Sequence, residues 1–332
     1  MDVAKRYLGV LAQRCMVQVQ VETYTQRINY CRIHDLMLEL RLSKVEINDF
    51  LRIIFLQRET DPANCFSTTS TTTIPKMRRL AIHLNRDVQR VFLPDLETTN
   101  QLRSILFCNQ GVYLTELNSH FKYFKLLRNL DLEGFCFDKK FVKSIGDLIS
   151  LRRCNFLEED QSGLSGFHQL PITKLPEYCQ GFSPSLIELK LSGCELEEDP
   201  MPTLERLPNL QYLYLGSSDI EDKLVDSADG FPQLKMVCSA NGFLQLKTLE
   251  LNRFYNLNEW EVEKGAMPNL SSLEIECCPG LEMVPEGLRF VATLQRFTIR
   301  AMSQNFKNKL RRVNGEGEDF YKVRHVSYLN IL

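Results

Sequence analysis

The sequence predicts an α/β fold, a leucine-rich-repeat solenoid (a horseshoe) preceded by a partial winged-helix domain. Three observations carry that expectation. An L-x-x-L-x-L pattern recurs along most of the chain at a near-constant spacing. A helix, a hairpin and a second helical stretch fill roughly the first fifty residues, and a Ser/Thr-rich tract separates them from the repeats. Self-similarity at a fixed period of about 20–29 residues marks chains whose units bury their apolar faces only by stacking.

Residues 1–56 form the first segment. Asp2 to Arg14 sets Val3, Tyr7, Leu8 and Leu11 on one helical face. Val17, Val19 and Val21 alternate with Gln18 and Gln20, which predicts a strand with one buried face. Residues 28–33 are placed to pair with it across residues 22–27. Asp35 suits the N-cap of a helix carrying Leu36, Met37 and Leu40, and Ile47, Phe50, Leu51, Ile54 and Phe55 continue with helix-like spacing. Helix, hairpin and helix in this order point to a winged-helix domain lacking its beginning. Residues 57–76 form a linker, because the run Ser67-Thr68-Thr69-Ser70-Thr71-Thr72-Thr73 is too polar to build a core.

Residues 77–302 form the repeat array. The pattern falls at Met77-Leu80-Ile82, Leu102-Ile105-Phe107, Leu127-Leu130-Leu132, Leu151-Cys154-Phe156 and Leu186-Leu189-Leu191. It continues at Leu210-Leu213-Leu215, Leu246-Leu249-Leu251, Leu270-Leu273-Ile275 and Leu294-Phe297-Ile299. Six of the eight intervals between starts are 24 or 25 residues. The 36-residue interval contains Leu234-Lys235-Met236-Val237-Cys238, which reads as a degenerate repeat followed by a short step. The 35-residue interval contains a Gly-, Ser- and Pro-rich stretch from Ser162 to Pro184, which reads as an inserted loop. Turns such as Leu207-Pro208-Asn209 and Met267-Pro268-Asn269 set up the strand that follows each. Residues 303–332 are a C-terminal cap, where Lys307, Lys309, Arg311 and Arg312 precede Glu316, Glu318 and Asp319 as a solvated outer face.

Composition excludes several classes of function. With 44% hydrophobic and 25% charged residues the chain has the balance of a folded protein. Its 40 basic and 42 acidic side chains leave a net charge of -2, which gives no electrostatic reason to expect nucleic acid or an anionic membrane as partner. Met1 to Tyr7 reads as an amphipathic helix rather than a targeting signal, and no stretch approaches the length of an apolar membrane span. The 11 cysteines include no C-x-x-C pair, so reduced thiols filling apolar niches in a cytoplasmic protein are expected. The sequon Asn269-Leu270-Ser271 sits where a repeat strand begins and is read as coincidence.

A resemblance emerges from three runs: Asp2-Val3-Ala4-Lys5-Arg6-Tyr7-Leu8, then Leu11-Ala12-Gln13-Arg14-Cys15-Met16-Val17-Gln18-Val19, then Cys31-Arg32-Ile33-His34-Asp35-Leu36-Met37. Together they resemble the end of the nucleotide-binding (NB-ARC) module of plant intracellular disease-resistance receptors of the coiled-coil class. Ile33-His34-Asp35 is similar to that family's M-H-D motif. The resemblance continues through Gly265-Ala266-Met267-Pro268-Asn269-Leu270 and Gly317-Glu318-Asp319-Phe320-Tyr321-Lys322-Val323. It implies the C-terminal portion of such a receptor, in which His34 contacts the phosphate of bound ADP and Asp35 shapes the turn beside it. On the residues alone, His34 and Asp35 are a helix cap and its neighbour.

The sequence contains no G-x-x-x-x-G-K-S/T loop to cradle phosphates. The M-H-D residues are therefore expected to be vestigial here, with ADP or ATP bound only where the nucleotide-binding module is also present. No cofactor, metal or enzymatic activity is expected of this chain. His34, His83, His120, His168 and His325 are widely separated, and no G-x-S-x-G elbow occurs.

One ladder of candidate binding residues follows from the repeat. The residue between the last two apolar positions of each strand should face away from the core: Ala81, Leu106, Asp131, Asn155, Lys190, Tyr214, Glu250, Glu274 and Thr298. Its apolar start suggests a face covered by the nucleotide-binding module in an intact receptor. Its polar part, Lys190, Tyr214, Glu250, Glu274 and Thr298, is expected to meet a protein, either a pathogen effector or a guarded host protein. The alternative reading is a free-standing repeat adaptor or scaffold outside immunity.

Overall fold

A computed structural model describes residues 3–14, 16–21, 28–33, 51–56, 78–84, 101–113, 121, 123–136, 145–157, 175, 182–193, 196–217, 233–311 and 317–332. The chain divides into two compact units, Met1–Arg52 with Pro75–Arg78, and Ile53–Ile74 with Arg79–Leu332.

In the first unit α1 spans Val3–Gln13, and β1 (Val17–Val21) pairs antiparallel with β2 (Ile28–Ile33) from Val17↔Ile33 to Val21↔Ile28. The expected helix and hairpin are both present, with Val17 buried. The capped helix expected from Asp35, and with it the winged helix as a whole, lies outside the described residues. So do the Ser67–Thr73 linker tract and most of the 162–184 insertion.

The second unit is a parallel-sheet solenoid. Among the described residues its main sheet has eleven strands, and nine of them are those the repeat pattern predicts. These are β4 (Arg79–Leu84), β5 (Ser104–Tyr113), β6 (Asn129–Cys136), β7 (Arg153–Leu157) and β8 (Glu188–Leu191), then β9 (Tyr212–Gly216), β11 (Thr248–Asn252), β13 (Ser272–Glu276) and β14 (Arg296–Arg300). Neighbours among these nine are parallel and in register through the repeat positions, with a shift in β5–β6 only beyond Cys108, so the repeat's apolar positions form two unbroken columns. One runs Leu80, Ile105, Leu130, Cys154, Leu189, Leu213, Leu249, Leu273, Phe297; the other runs Ile82, Phe107, Leu132, Phe156, Leu191, Leu215, Leu251, Ile275, Ile299. All eighteen side chains are 2% exposed or less. A strand's side chains alternate between faces, so burying these columns turns the residue between them to the opposite face.

From Leu127 onward the leading leucine of each repeat strand closes a one-turn bend before it. Leu151 N–H donates to Leu148 O, Leu210 N–H to Leu207 O, Leu246 N–H to Phe243 O and Leu270 N–H to Met267 O. The Pro-Asn turns carry a second bond, between coils. Asn209 Nδ2 donates to Pro184 O at 2.9 Å and Asn269 Nδ2 to Leu244 O at 2.8 Å. At the equivalent place Thr293 Oγ1 reaches Pro268 O at 3.0 Å. Asn269 of the sequon thus serves as a strut between coils.

Three expectations need correction. Residues Leu51–Leu56 form strand β3, at the end of the main sheet beyond β4, rather than continuing a helix. A short apolar run fits either structure by periodicity, and the β-branched Ile53 and Ile54 followed by Phe55 favour the strand. The segment Leu234–Cys238 (β10) is not a strand of the main sheet. It pairs in parallel with β12 (Leu257–Val262) in a separate two-stranded sheet, while β9 pairs directly with β11. The lone Trp260 is buried there, its Nε1 donating to Cys238 Sγ at 3.5 Å. Finally, residues 303–332 are more than a solvated cap, because they supply β15 (Tyr328–Ile331), which extends the main sheet past β14 with Leu329 beside Phe297 and Ile331 beside Ile299.

Among the described residues the unit also has a single helical turn α2 (Met201–Leu204), the 3-10 turns Glu286–Phe290 and Phe320–Lys322, and α3 (Gln304–Leu310), whose start is capped by Ser303 Oγ accepting from Phe306 N–H at 3.2 Å. Cys154, Cys238 and Cys278 are buried thiols, as expected of thiols that fill apolar niches, and burial pushes Cys238 and Cys278 up to about 12. Among the described residues no helix is long and apolar enough to cross a membrane.

Candidate functional site: the open face of the sheet

The ladder read from the sequence is continuous in the structure. Ala81, Leu106, Asp131, Asn155, Lys190, Tyr214, Glu250, Glu274 and Thr298 stand side by side on successive parallel strands, and Asn330 of β15 adds a tenth step. Asn330 was not foreseen, although Val326-x-x-Leu329-x-Ile331 carries the repeat pattern. Exposure along the ladder is uneven. Leu106 through Glu274 are half-buried, whereas Ala81 and Thr298 are 8% and 7% exposed. Thr298 therefore offers a partner little surface, despite its place in the row.

A row beside the ladder supplies more polar groups, and the two rows are cross-linked. Arg153 Nε pairs with Glu188 Oε2 at 3.2 Å, Glu188 lies 3.8 Å from Lys190 Nζ, and Lys190 sits over the Tyr212 ring at 5.3 Å from its centre. The Tyr212 hydroxyl donates to Glu250 Oε2 at 2.8 Å. One chain of contacts therefore crosses β7, β8, β9 and β11. Further along, Arg300 Nη1 holds Glu274 Oε1 at 2.9 Å, and Asn252 Nδ2 reaches Glu276 Oε2 at 3.4 Å. Half-exposed ion pairs of this kind contribute about 0–1 kcal/mol each, so their effect is to fix side-chain positions more than to hold the fold.

The electrostatics follow from burial. Burial raises Tyr212 and Tyr214 above the ordinary phenol range, and Glu250 adds to it for both. Both tyrosines therefore stay neutral at any physiological pH. The Tyr214 ring leans along its strand to where a Cβ on Gly216 would stand, so glycine at 216 is what leaves it room. Asp131 accepts from Asn155 Nδ2 at 3.3 Å, yet burial pushes its carboxyl above the usual range, against the opposing pull of that bond and of Lys190.

The structure thus brings Lys190, Tyr214, Glu250 and Glu274 together on one face with Thr298 sunk among them. Among the described residues no group of His, Cys, Asp or Glu could hold a metal ion. What the arrangement can do chemically is present aromatic, cationic and anionic groups in fixed order to another polypeptide. His34 and Asp35 lie outside the described residues.

Comparison with known proteins gives the face a context. No protein-family model matches the chain. A disease resistance protein of Arabidopsis thaliana is 31% identical over 98% of this chain and 44% of its own length. The disease resistance protein RPP8 of the same plant is 36% identical over 60% of this chain and 20% of its own length. A disease resistance RPP8-like protein is 33% identical over 63% and 20% respectively. The chain spans less than half the length of each of these relatives.

Proposed function

We propose, from the premise that this chain is homologous to plant disease-resistance proteins, that it serves in plant defence as a protein-binding leucine-rich-repeat module, both sensor and restraint. The observation that supports this most is the unbroken ladder on the open face. Ten side chains in register over parallel strands give an extended surface, and a surface of this kind suits a polypeptide better than a small molecule, which needs a concave pocket. The half-buried polar steps from Lys190 to Glu274 are the site for a pathogen effector or a guarded host protein. The apolar steps at Ala81 and Leu106 are the site where the nucleotide-binding module rests in an intact receptor.

On this reading the chain is cytoplasmic, catalyses nothing and holds no cofactor of its own. His34 and Asp35 contact ADP only when a phosphate-binding module is joined to them. Calorimetry on this chain with ADP or ATP is expected to show no saturable binding, and a micromolar constant would remove this part of the proposal.

The face itself is tested by photo-cross-linking residues placed singly at 106 and 250 of the chain expressed in leaf tissue. Position 106 is expected to capture a partner in resting tissue, and position 250 a different partner only after pathogen challenge. Identical adducts from both positions in both states would overturn the division of the face.

A further inference from the structure

At one step of the ladder the fold leaves two acceptor oxygens without donors. Asp131 Oδ1 and Asn155 Oδ1 are buried, and neither has a hydrogen-bond partner among the described residues. The two residues are register partners on β6 and β7, and their other polar atoms are spent on each other through the 3.3 Å bond from Asn155 Nδ2 to Asp131 Oδ2. Both face away from the core, since Leu130, Leu132, Cys154 and Phe156 on the same strands are buried. An acceptor left unpaired in such a place costs on the order of 1–3 kcal/mol, a cost that a donor brought by a partner would remove.

We propose that the Asp131–Asn155 step is a seat for an arginine side chain from the protein segment that covers the apolar end of the ladder. The inference rests on the protein-binding reading above and adds the chemistry of the partner. Three features choose arginine. The acceptors come as a pair, one from a carboxylate and one from an amide, and a guanidinium presents several N–H donors in one plane and can serve both. The site is partly withdrawn from water, where a charge-assisted bond to Asp131 is worth more than at the surface. The neighbouring step on β5 is Leu106, half-buried, with Ala81 beyond it, so an apolar side chain next to the arginine would have its own contact. Arginine is among the residues enriched at the energetic centres of protein interfaces.

The test uses the full chain and a defined probe, the dipeptide acetyl-benzoylphenylalanyl-arginine amide. Its benzophenone matches the apolar step and forms an adduct on irradiation, and its arginine matches the acceptor pair. Mass spectrometry is expected to place the adduct within residues 79–84 or 104–108. Its yield is expected to fall at least about tenfold when citrulline replaces arginine, and similarly in Asp131→Asn. The citrulline arm needs no altered protein, so a misfolded variant cannot obscure the answer. Equal labelling by the citrulline peptide, or adducts scattered over the sheet, would overturn the proposal. The leaf experiment remains separate: loss of partner adducts at position 250 there counts against the protein-binding reading, whatever the dipeptide does.

Discussion

At Asp131 the charge and its surroundings are at odds, and the conflict has a measurable sign. Burial raises its carboxyl above the unfolded value, so ionisation in the folded state is disfavoured. A group with a raised folded pKa lowers stability above that pKa and ceases to do so as pH falls through it. Asp131→Asn is therefore expected to raise the melting temperature at neutral pH, with the gain shrinking as the pH is lowered towards the carboxylate range. Thermal unfolding of both proteins across that range checks it, and a variant less stable at pH 7 would show that the carboxylate is held by bonds stronger than those described. Stability gained while arginine binding is lost would be the usual trade at a binding site. Tyr214 offers a second test at this scale. A methyl on Gly216 would stand about 2.9 Å from the Tyr214 ring and hydroxyl, and because a side chain can rotate away the fold should survive. Gly216→Ala is expected to change melting by no more than a few degrees while weakening capture of a partner at position 250 several-fold. Unaltered capture would mean that the placement of the Tyr214 ring is immaterial. The order of the ladder was legible in the sequence because register follows from the apolar columns. Its pairings, such as Tyr212 with Glu250, were not, because they cross between rows. The burial of Thr298 was not legible either, since it depends on Asn330 and β15 beside it.

Among the elements, period was both the guide and the source of error. Any strand that occurs once per coil shares the coil's spacing, whichever sheet it belongs to. Lys235 pairs with Glu259 and Val237 with Glu261, 24 residues apart in each case, so β10 carries the same period as the main sheet without being part of it. Spacing alone could not separate the two sheets. The end strands β3 and β15 were missed for a different reason. Their apolar patterns are present, but β3 reads equally as a helix and β15 follows a longer interval than its neighbours. The turns, by contrast, gained a physical cause. Asn209 and Asn269 each spend a side-chain N–H on the carbonyl of the preceding coil, and losing such a bond costs about 0.5–1.5 kcal/mol. Asn209→Ala and Asn269→Ala are expected to fall in that range singly, by denaturant unfolding. Being distant and sharing no partner, they should add in the double variant to within about 0.5 kcal/mol. A large departure from additivity would mean that the struts act as one cooperative array.

For the repeat unit taken whole, stability is a matter of neighbours, since each coil rests on the next and an end coil has only one. The C-terminal end is secured by a buried ion pair. Lys322 Nζ lies 2.7 Å from Asp319 Oδ1 and donates to Val284 O at 2.9 Å, while Asp319 Oδ2 accepts from Val284 N–H at 3.1 Å. Both side chains are under 10% exposed, so the motif Gly317-Glu318-Asp319-Phe320-Tyr321-Lys322-Val323 fastens the last segment to the turn at Val284. Removing one partner of such a pair strands the other charge and costs about 3–5 kcal/mol, whereas replacing both with apolar residues of similar size is often neutral. Lys322→Ala is therefore expected to release the end coil first. Amide exchange should quicken in β14 and β15 while β6 to β9 keep their protection. Because stacking is local, the loss should fade over one or two coils instead of melting the sheet. The paired change Asp319→Leu with Lys322→Met should restore most of the protection. Uniform loss of protection from β4 to β15 in Lys322→Ala would show the solenoid to be a single cooperative unit, and failure of the paired change to recover would show that the bonds to Val284 matter more than the stranded charge.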